Sequence, residues 1–363
     1  MPLIYHVITD KAIGGAGLFL LRLLSQTDKA RFPSLVILPR GSALLPLYHK
    51  QKIDTLPICE AKEASFSFSL FFALSRLFRK APPDILHTHG ALAAKLAAKL
   101  TTGAAILSTR HCDTPFSSRP TSRFLYRRLT DATVCPSLCG LSRLAEAGIP
   151  SEELFYIPNG FVFQGVPTEA ARRAARQKYG VAPSDIAIGL CGRLEKIKGH
   201  QTVLPAAKRV LQKNGRFLFL FLGEGGERRK LTALAEELGI AERVRFLGHS
   251  EEVTPFYHAL DAHVSASFGD ETASLSVAEG MSAGLPTLVS ACGGNLERLG
   301  KGGLSFPVGD AAALSSLLLS LESEAVRARL SAAALERAKA LPSFAKTAEA
   351  YAALYLRLLK KGT

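Results

Sequence analysis

The sequence has few of the features that are typical of disulfide-rich or membrane-spanning proteins. It has no tryptophan and only 6 cysteines among 363 residues. The cysteines are scattered and show neither C-x-x-C pairs nor Cys/His clusters of zinc-binding spacing, so we expect reduced thiols of a cytosolic protein. No apolar run approaches the ~18 residues of a membrane-spanning helix. The N-terminal residues show no secretory signal pattern. These absences exclude a disulfide-stapled domain and an integral membrane protein.

The composition is that of a folded, basic protein. Hydrophobic residues make up 47% of the chain and charged residues 21%, which excludes disorder as its main state. The length suits about two domains of ordinary size. Lys and Arg number 45 against 31 Asp and Glu, for a net charge of +14. Such a surplus attracts nucleic acid, anionic membranes or phosphorylated small molecules without choosing among them.

Short runs rich in Ile, Val and Leu alternate with amphipathic segments in both halves of the chain. The predicted strands are 3–9, 34–38, 84–88, 104–108 and 132–135 in the first half, and 186–191, 217–222, 244–247, 262–266 and 287–290 in the second. Strands that alternate with helices indicate parallel β-α-β units. The sequence therefore predicts two doubly wound α/β domains, 1–165 and 166–342, and a closing helix in 343–363 that packs back on the first domain.

The first chemical motif is a cationic loop in the second half. Residues 192–199 read Gly-Arg-Leu-Glu-Lys-Ile-Lys-Gly between a predicted strand and a helix. A corner of this kind presents free backbone N–H groups, and the cations Arg193 and Lys198 are spaced to clamp a diphosphate. The alternative interpretation is that both side chains are solvated loop charges.

The second motif is a pair of glutamates after a later strand. Glu271 falls in a loop and Glu279 two turns into the helix that this loop opens. Small residues lie between them, and the backbone N–H groups around Ser274 and Leu275 can reach the oxygens of a ligand. Alternatively, Glu271 is a helix N-terminal charge favoured by the helix dipole.

The order of these motifs resembles the family 4 glycosyltransferases. The segments that carry the resemblance are 192–199, 222–225, 244–248, Tyr257 with Asp261, Glu271 with Glu279, Pro286, Gly293, Gly294, Glu297, Gly309 and Asp310, with 14–17, 83–90, 109–111 and 157–160 in the first half. The resemblance covers nearly the whole chain. It implies a GT-B fold, in which two Rossmann-like domains face a central cleft, the first binding mainly the acceptor and the second mainly the donor.

The resemblance also implies a reaction. It is the anomer-retaining transfer of a sugar from a UDP- or GDP-sugar to a glycan or lipid-linked acceptor, in cell-envelope or surface-polysaccharide synthesis. No metal or other cofactor is expected, and the sequence has no Asp-x-Asp motif in a metal-binding context. The implied catalytic residues are His111 and Glu271; the implied donor-binding residues are Gly15, Arg193, Lys198, Ser274, Leu275 and Glu279.

These implied roles agree with the chemistry of glycosyl transfer. Negative charge grows on the departing diphosphate as the sugar becomes oxocarbenium-like, so Arg193 and Lys198 bind the transition state more strongly than the substrate. Glu279 is expected on the ribose hydroxyls, Glu271 and His111 on the donor sugar, and Gly15 near the diphosphate. Residues 271–275 read Glu-Thr-Ala-Ser-Leu where many relatives have Glu-Gly-Phe-Gly-Leu. This departure leaves the identity of the sugar open.

Two patches in the first half raise the question of whether the protein contacts a membrane. Phenylalanines at 66, 68, 71, 72 and 78 precede Arg76, Arg79 and Lys80, and arginines recur at 119, 123 and 127. Either patch suits peripheral contact with the inner face of an anionic membrane by a cytoplasmic protein. The alternatives are a helix packed on the sheet and a solvated helix face.

Three rival functions remain at this stage. A dinucleotide oxidoreductase requires G-x-G-x-x-G after the first strand, and the chain has only Gly-Gly-Ala-Gly at 14–17. A nucleic-acid-binding protein suits the basic charge, but no zinc-finger spacing or RNP-like run is present, so we do not expect nucleic acid as a partner. A non-catalytic relative that binds nucleotide or other partners is opposed by the intact Glu271, Glu279, Arg193 and Lys198.

Overall fold

The computed structural model describes residues 1–58, 66–111, 124, 126–269 and 271–361. The chain divides into two compact units, Met1–Gly160 with Pro342–Thr363, and Phe161–Leu341. None of the helices in the described ranges combines the length and apolar content needed to span a bilayer. The four cysteines in these ranges, Cys135, Cys139, Cys191 and Cys292, are free thiols.

The first unit is a parallel sheet flanked by helices. In chain order its elements are β1 (Ile4–Val7), α1 (Gly15–Gln26), β2 (Ser34–Pro39), α2 (Leu45–Lys50), β3 (Thr55–Ile58), α3 (Phe68–Lys80), β4 (Ile85–Thr88), α4 (Leu92–Thr101), β5 (Ala105–Thr109), β6 (Ala132–Cys135), α5 (Leu138–Glu146), β7 (Leu154–Tyr156) and, after the second unit, α14 (Phe344–Lys361). Its strands are hydrogen-bonded in the order β3-β2-β1-β4-β5-β6-β7.

Both faces of this sheet are buried. One carries a core that includes Phe19 of α1 and Tyr351 of α14, and the other is packed by Leu74 and Phe78 of α3. The last segment is fitted closely to the unit, since a Cβ on Gly160 would lie 2.5 Å from the Phe344 backbone. Helix α14 is therefore a structural part of the first unit.

The second unit repeats this architecture with six strands. Its elements are α6 (Glu169–Lys178), β8 (Ile186–Cys191), α7 (His200–Leu211), β9 (Phe217–Leu222), α8 (Arg228–Glu237), β10 (Val244–Gly248), α9 (Thr254–Ala259), β11 (Ala262–Ser265), α10 (Leu275–Ser282), β12 (Thr287–Ser290), α11 (Gly293–Leu299), β13 (Leu304–Phe306), α12 (Ala311–Ser320) and α13 (Glu324–Ala340). The strand order is β10-β9-β8-β11-β12-β13, and its recorded strand pairs are parallel.

Strand β9 shows how the sequence builds this sheet. It reads Phe-Leu-Phe-Leu-Phe-Leu, and all six residues are at most 3% exposed. Because successive side chains point to opposite faces, the phenylalanines enter one core and the leucines the other. A strand buried on both faces reads as a continuous apolar run, which is why the sequence identifies it readily.

The ten predicted strands are present, four of them with the predicted ends, and three more lie among the described residues. The additional strands β3, β7 and β13 are three or four residues long and lie at sheet edges. The unit boundary falls at 160/161, where the sequence predicts 165/166, because Phe161 packs in a core with Val277 and Met281 of the second unit. After this boundary the chain forms α6, whose first turn is capped by the Thr168 side chain.

The strand orders place a ligand-binding position in each unit. In each sheet the order reverses between the first strand and its neighbour, at β1/β4 in the first unit and β8/β11 in the second. Loops that leave two such strands turn to opposite faces of the sheet and open a crevice at the carboxyl ends of the strands. We call these positions the β1/β4 and β8/β11 switch points.

Candidate functional site

The β8/β11 switch point brings the two motifs of the second half together. Lys198 follows β8 and Glu271 follows β11, and their side chains form an ion pair across 73 positions of sequence. The Ser267 hydroxyl also donates to Glu271, with an Oγ–Oε1 distance of 2.9 Å. The Glu271 side chain is 12% exposed and that of Lys198 is 26% exposed. The predicted cation and carboxylate therefore occupy one partly shielded position.

Two close backbone contacts hold this pair in place. Gly199 has φ +73°, and a Cβ there would lie 1.8 Å from the Ala266 carbonyl oxygen, so the loop after β8 lies directly on the end of β11. The Gly294 N–H donates to the Glu271 carbonyl at 2.7 Å. A Cβ on Gly294 would lie 1.9 Å from the Thr272 carbonyl oxygen. Only glycine fits such approaches without displacing the backbone, so both sides of the Glu271 loop are fixed.

Glu279 lies deeper, on α10. It is 5% exposed, and its Oε2 accepts a hydrogen bond from the Tyr257 hydroxyl at 3.0 Å. Burial raises the pKa of Tyr257 well above its ordinary value and that of the neighbouring Cys191 thiol to about 12. Tyr257 therefore remains a protonated donor to the carboxylate at physiological pH.

The other predicted donor-binding residues of this unit have separate contacts. Arg193 is exposed, and its Nη1 pairs with Glu195 Oε1 at 2.7 Å rather than joining the Lys198–Glu271 pair. Ser274 is buried and hydrogen-bonds through its hydroxyl to Ser276 at 3.0 Å. Leu275 is the first residue of α10. Ser274 and Leu275 thus place the N-terminal N–H groups of α10 beside the Glu271 loop.

In the first unit, the predicted residues lie after β1 and β5. Gly15 opens α1, and a Cβ there would meet nothing within 4 Å, so the loop surface at this point is open. Gly17 instead packs on the Leu44 side chain, which a Cβ would approach to 2.5 Å. His111 follows β5 with its ring centroid 5.1 Å from that of Phe19 on α1. Burial lowers the pKa of His111 to about 4, which keeps the imidazole neutral.

The structure adds a group of buried and half-buried histidines that the sequence interpretation missed. His6 of β1 and His87 of β4 are register partners in the sheet, and His89 follows β4. His89 Nδ1 hydrogen-bonds to His111 Nε2 at 2.8 Å. Burial lowers the pKa of His6 to about 3 and those of His87 and His89 well below the ordinary value. One nitrogen from each of His6, His87 and His89 lies within 4.8 Å of the others, the spacing of groups able to hold a metal ion.

This group had a readable signal in the sequence. Residues 87–89 read His-Thr-His, and alternate residues of a strand point to the same face. Pairing β4 with β1, as the reversed strand order requires, adds His6 to that face. What the sequence could not supply is the hydrogen bonding that distinguishes one imidazole from another.

The phenylalanine-rich segment divides between core and surface. Phe78 is fully buried, whereas Phe68 and Phe72 are 72% and 65% exposed on α3. One helix thus carries both packed and exposed phenylalanines. Of the arginine stripe, Arg119 and Arg123 lie outside the described residues.

Comparison with known proteins assigns the chain to a family. A profile described as Glycosyltransferase Family 4 matches residues 13–162, and one described as Glycosyl transferases group 1 matches residues 185–324. The chain is 31% identical over 193 residues to the lipopolysaccharide core biosynthesis glycosyltransferase LpsE of Rhizobium meliloti, covering 52% of this chain and 53% of the relative. It is 25% identical over 252 residues to the 2-deoxystreptamine glucosyltransferase of Streptomyces kanamyceticus, covering 62% and 64%. The chain thus matches between about half and two thirds of the length of these curated relatives.

Solved structures extend the likeness over the full fold. A crystal structure of Anabaena HepE in complex with UDP and glucose superposes with a TM-score of 0.85 at 20% identity, covering 98% of this chain and 99% of that one. The lipopolysaccharide outer core galactosyltransferase WaaB superposes with a TM-score of 0.71 at 16% identity, covering 98% and 100%. At these identities the likeness establishes the GT-B fold. The two profile matches, in the chain order expected from the sequence, identify this chain as a member of the family 4, group 1 glycosyltransferases.

Proposed function

We propose that this chain is a retaining glycosyltransferase that moves a sugar from a nucleoside-diphosphate sugar to a glycan or lipid-linked acceptor in cell-envelope or surface-polysaccharide synthesis. The observation that carries the proposal is the Lys198–Glu271 pair at the β8/β11 switch point, with Glu279 behind it. LpsE, named for lipopolysaccharide core biosynthesis, and HepE, crystallised with UDP and glucose, support the acceptor and donor classes.

Each group of this site has a part in transfer. Lys198 and the N–H groups at the start of α10 stabilise the negative charge that grows on the departing diphosphate. Glu271 orients the donor sugar from its fixed loop, and Glu279, buried and held by Tyr257, binds the ribose hydroxyls. Because Lys198 supplies positive charge at the leaving group, the reaction proceeds without a metal ion there. His111 contacts the donor sugar as a neutral imidazole.

The Lys198–Glu271 pair also has a consequence for donor binding. Before the donor binds, the Glu271 carboxylate is paired with Lys198, the cation that the diphosphate requires. A nucleoside diphosphate must therefore compete with Glu271 for Lys198, whereas the sugar of the intact donor gives Glu271 a new hydrogen-bonding partner. This exchange favours the sugar nucleotide over the free nucleotide.

The first test is a thermal-shift panel of UDP, GDP, ADP and CMP with their sugar conjugates. Ligands that bind the native state raise the melting temperature by mass action. We expect one nucleoside diphosphate and its sugar conjugate to stabilise wild type, and Arg193→Ala/Lys198→Ala to lose the shift. Lys196→Ala is the matched control, because Lys196 is an exposed lysine of the same loop. Absence of any shift in folded protein contradicts the donor assignment and favours the nucleic-acid and partner-binding alternatives.

We infer in addition that the first unit contacts an anionic membrane surface as a peripheral, cytoplasmic protein. Phe68 and Phe72 are exposed one helical turn apart, and the cations Arg76, Arg79 and Lys80 are exposed farther along α3. Exposed aromatic rings beside basic side chains suit the interface of an anionic bilayer. Such contact brings a lipid-linked acceptor within reach.

Vesicle flotation tests this contact. At low salt, wild type is expected to float with vesicles that contain phosphatidylglycerol, and Phe68→Ser/Phe72→Ser to remain at the bottom. Leu100→Ser is the matched control, since Leu100 is 66% exposed on α4. Equal flotation of the double variant and wild type, or no flotation of wild type, refutes the inference.

A further inference from the structure

The β1/β4 switch point contains a compact set of imidazoles that the proposed transfer reaction does not use. His6 and His87 lie side by side on adjacent strands, and His89 follows on the same face. The ring centroids of His6 and His87 are 5.0 Å apart, and those of His87 and His89 are 4.4 Å apart. The sheet register therefore directs three histidines into one space beneath α1 and α14.

Several nitrogens in this space have no hydrogen-bonding partner. His6 is fully buried, and neither its Nδ1 nor its Nε2 is hydrogen-bonded; His89 Nε2 is likewise shielded and unpartnered. A buried polar group without a hydrogen-bonding partner destabilises the folded state. His6 and His89 thus each offer an unpartnered nitrogen, which indicates that this space accommodates a group that accepts lone pairs or supplies hydrogen bonds.

In two of the three rings, those of His87 and His89, the nitrogen on the other side is held by a hydrogen bond. His89 Nδ1 hydrogen-bonds to His111, and His87 Nδ1 to the Tyr355 hydroxyl at 2.8 Å. Metal-binding histidines make this kind of outer contact, which fixes the ring and directs its second nitrogen at the ion. His87 Nε2 contacts the Thr109 hydroxyl at 2.7 Å, and that hydroxyl also contacts Tyr351 at 3.0 Å. Thr109 therefore retains a partner if His87 Nε2 turns to an ion.

We propose that His6, His87 and His89 bind a divalent ion of the late transition metals, of the Zn²⁺ class. Neutral imidazole nitrogen suits Zn²⁺, Co²⁺, Ni²⁺ and Cu²⁺, whereas Mg²⁺ and Ca²⁺ require oxygen ligands. Three neutral ligands leave the charge of the ion uncompensated, so hydroxide or another small anion completes its coordination. The proposed ion stabilises the first unit and takes no part in the Lys198–Glu271 site.

The test uses the full chain without a polyhistidine tag, stripped of metal by chelator and dialysis. Co²⁺ is titrated and followed by visible absorption, and Zn²⁺ by competition and thermal shift. We expect one equivalent to bind wild type, a ligand-field absorption band with Co²⁺, and a higher melting temperature with Zn²⁺. His6→Leu is expected to weaken binding by at least about 100-fold, and Tyr355→Phe, which removes only the outer contact of His87, by about 10-fold.

Controls separate this site from adventitious binding. His49→Ala removes an exposed histidine and is expected to bind Co²⁺ as wild type does. His89→Ala is the second ligand variant if His6→Leu does not fold, because His89 is only half-buried. Absence of saturable binding by wild type, or equal binding by wild type and the ligand variants, overturns the proposal. Nucleotide-induced thermal shifts of stripped protein are expected to be unchanged, so failure here leaves the transferase proposal standing.

Discussion

The two switch points share a strand order and differ in chemistry. At β8/β11 the side chains are charged, with Lys198 paired to Glu271 and Glu279 behind them. At β1/β4 they are imidazoles, which burial keeps neutral. A charged ligand such as a diphosphate finds counter-charge at the first position and none among those imidazoles at the second. The same sheet topology thus supports two kinds of site, and the residues near the carboxyl ends of the strands and in the loops that follow them decide which kind.

The largest expected effect comes from neutralising one side of the charged switch point. Glu271→Gln keeps the size of the side chain but removes its charge and frees Lys198. We expect sugar transfer to fall by about 10²- to 10³-fold, the usual cost of removing one group that stabilises a transition state. Free nucleoside diphosphate is expected to bind at least as tightly as in wild type, because its competitor for Lys198 is gone. Transfer rates and calorimetric titration check both expectations.

Glu271→Gln is informative because it is expected to lower the rate of sugar transfer without weakening the binding of free nucleoside diphosphate. Weaker binding of the free nucleotide in Glu271→Gln would show that Glu271 does not compete with the diphosphate for Lys198. Lys196→Gln serves as the control for a change of one charge in the same region.

The next effect concerns the close backbone contact of the charged switch point. Gly199→Ala places a Cβ in the left-handed region and against the Ala266 carbonyl. We expect a loss of about 3 kcal/mol in the free energy of unfolding, because left-handed strain and backbone displacement add. Gly226→Ala is the control, since a Cβ there meets nothing within 4 Å. Urea unfolding checks this, and equal stability of the two variants would contradict the close contact.

A buried lysine of the first unit shows how burial disfavours a charged side chain there. Lys95 lies in α4, donates to the Thr130 hydroxyl at 3.1 Å and sits 4.2 Å from the Tyr126 ring centroid. Burial, with the nearby Arg110 charge, lowers its pKa to about 7. Between about pH 7 and about pH 10.5 the unfolded chain binds more protons at this residue, so its contribution to stability increases with pH in that window.

Lys95→Met tests this sign. At about pH 7 the variant is expected to exceed wild type by about 1–3 kcal/mol in the free energy of unfolding, and the difference is expected to shrink toward about pH 9.5. Urea unfolding at both pH values measures it. Lys99→Met, an exposed lysine of the same helix, controls for general charge effects. A difference that does not change with pH would refute the lowered pKa.

The smallest expected effect is at the open loop of the first unit. Gly15→Ala meets nothing within 4 Å at the start of α1, so we expect stability to change by less than about 1 kcal/mol. If the donor diphosphate approaches this loop, as the family resemblance implies, the added methyl weakens donor affinity by about 10-fold, measured by calorimetry. Gly103→Ala, which also has open space, is the control. Unchanged donor affinity would exclude Gly15 from the donor site.

The sequence predicts the interior of both sheets better than their edges. Strands such as β9 are continuous apolar runs because both faces are buried, so composition alone identifies them. Strand β7, Leu154–Tyr156, is an edge strand whose residues are all at least partly exposed. Its three residues, Leu-Phe-Tyr, form an apolar run that is too short to identify a strand by composition. Edge strands are specified by pairing, which a local pattern does not show.

The candidate site likewise has features that the sequence predicts and features that only the tertiary structure shows. The motif containing Lys198 and the glutamate pair are local in sequence, and each is recognised by its position after a predicted strand. Their ion pair depends on the Gly199–Ala266 contact, which is tertiary. The motif does not predict the contact of Arg193, whose side chain forms an ion pair with Glu195. His6 and His87 are 81 positions apart and meet only through the sheet register.

The close fit of the last segment into the first unit bears on the order in which the chain matures. The core of that unit includes Phe344, Ala348, Tyr351, Leu354, Tyr355 and Leu358, which are synthesised only after the whole second unit. During translation, residues 1–160 leave the ribosome first, and the sheet face that α14 packs on is then only partly covered, whereas residues 161–341 are complete as soon as they emerge. Although domains generally fold in order from the N-terminus, here the second unit is able to finish before the first.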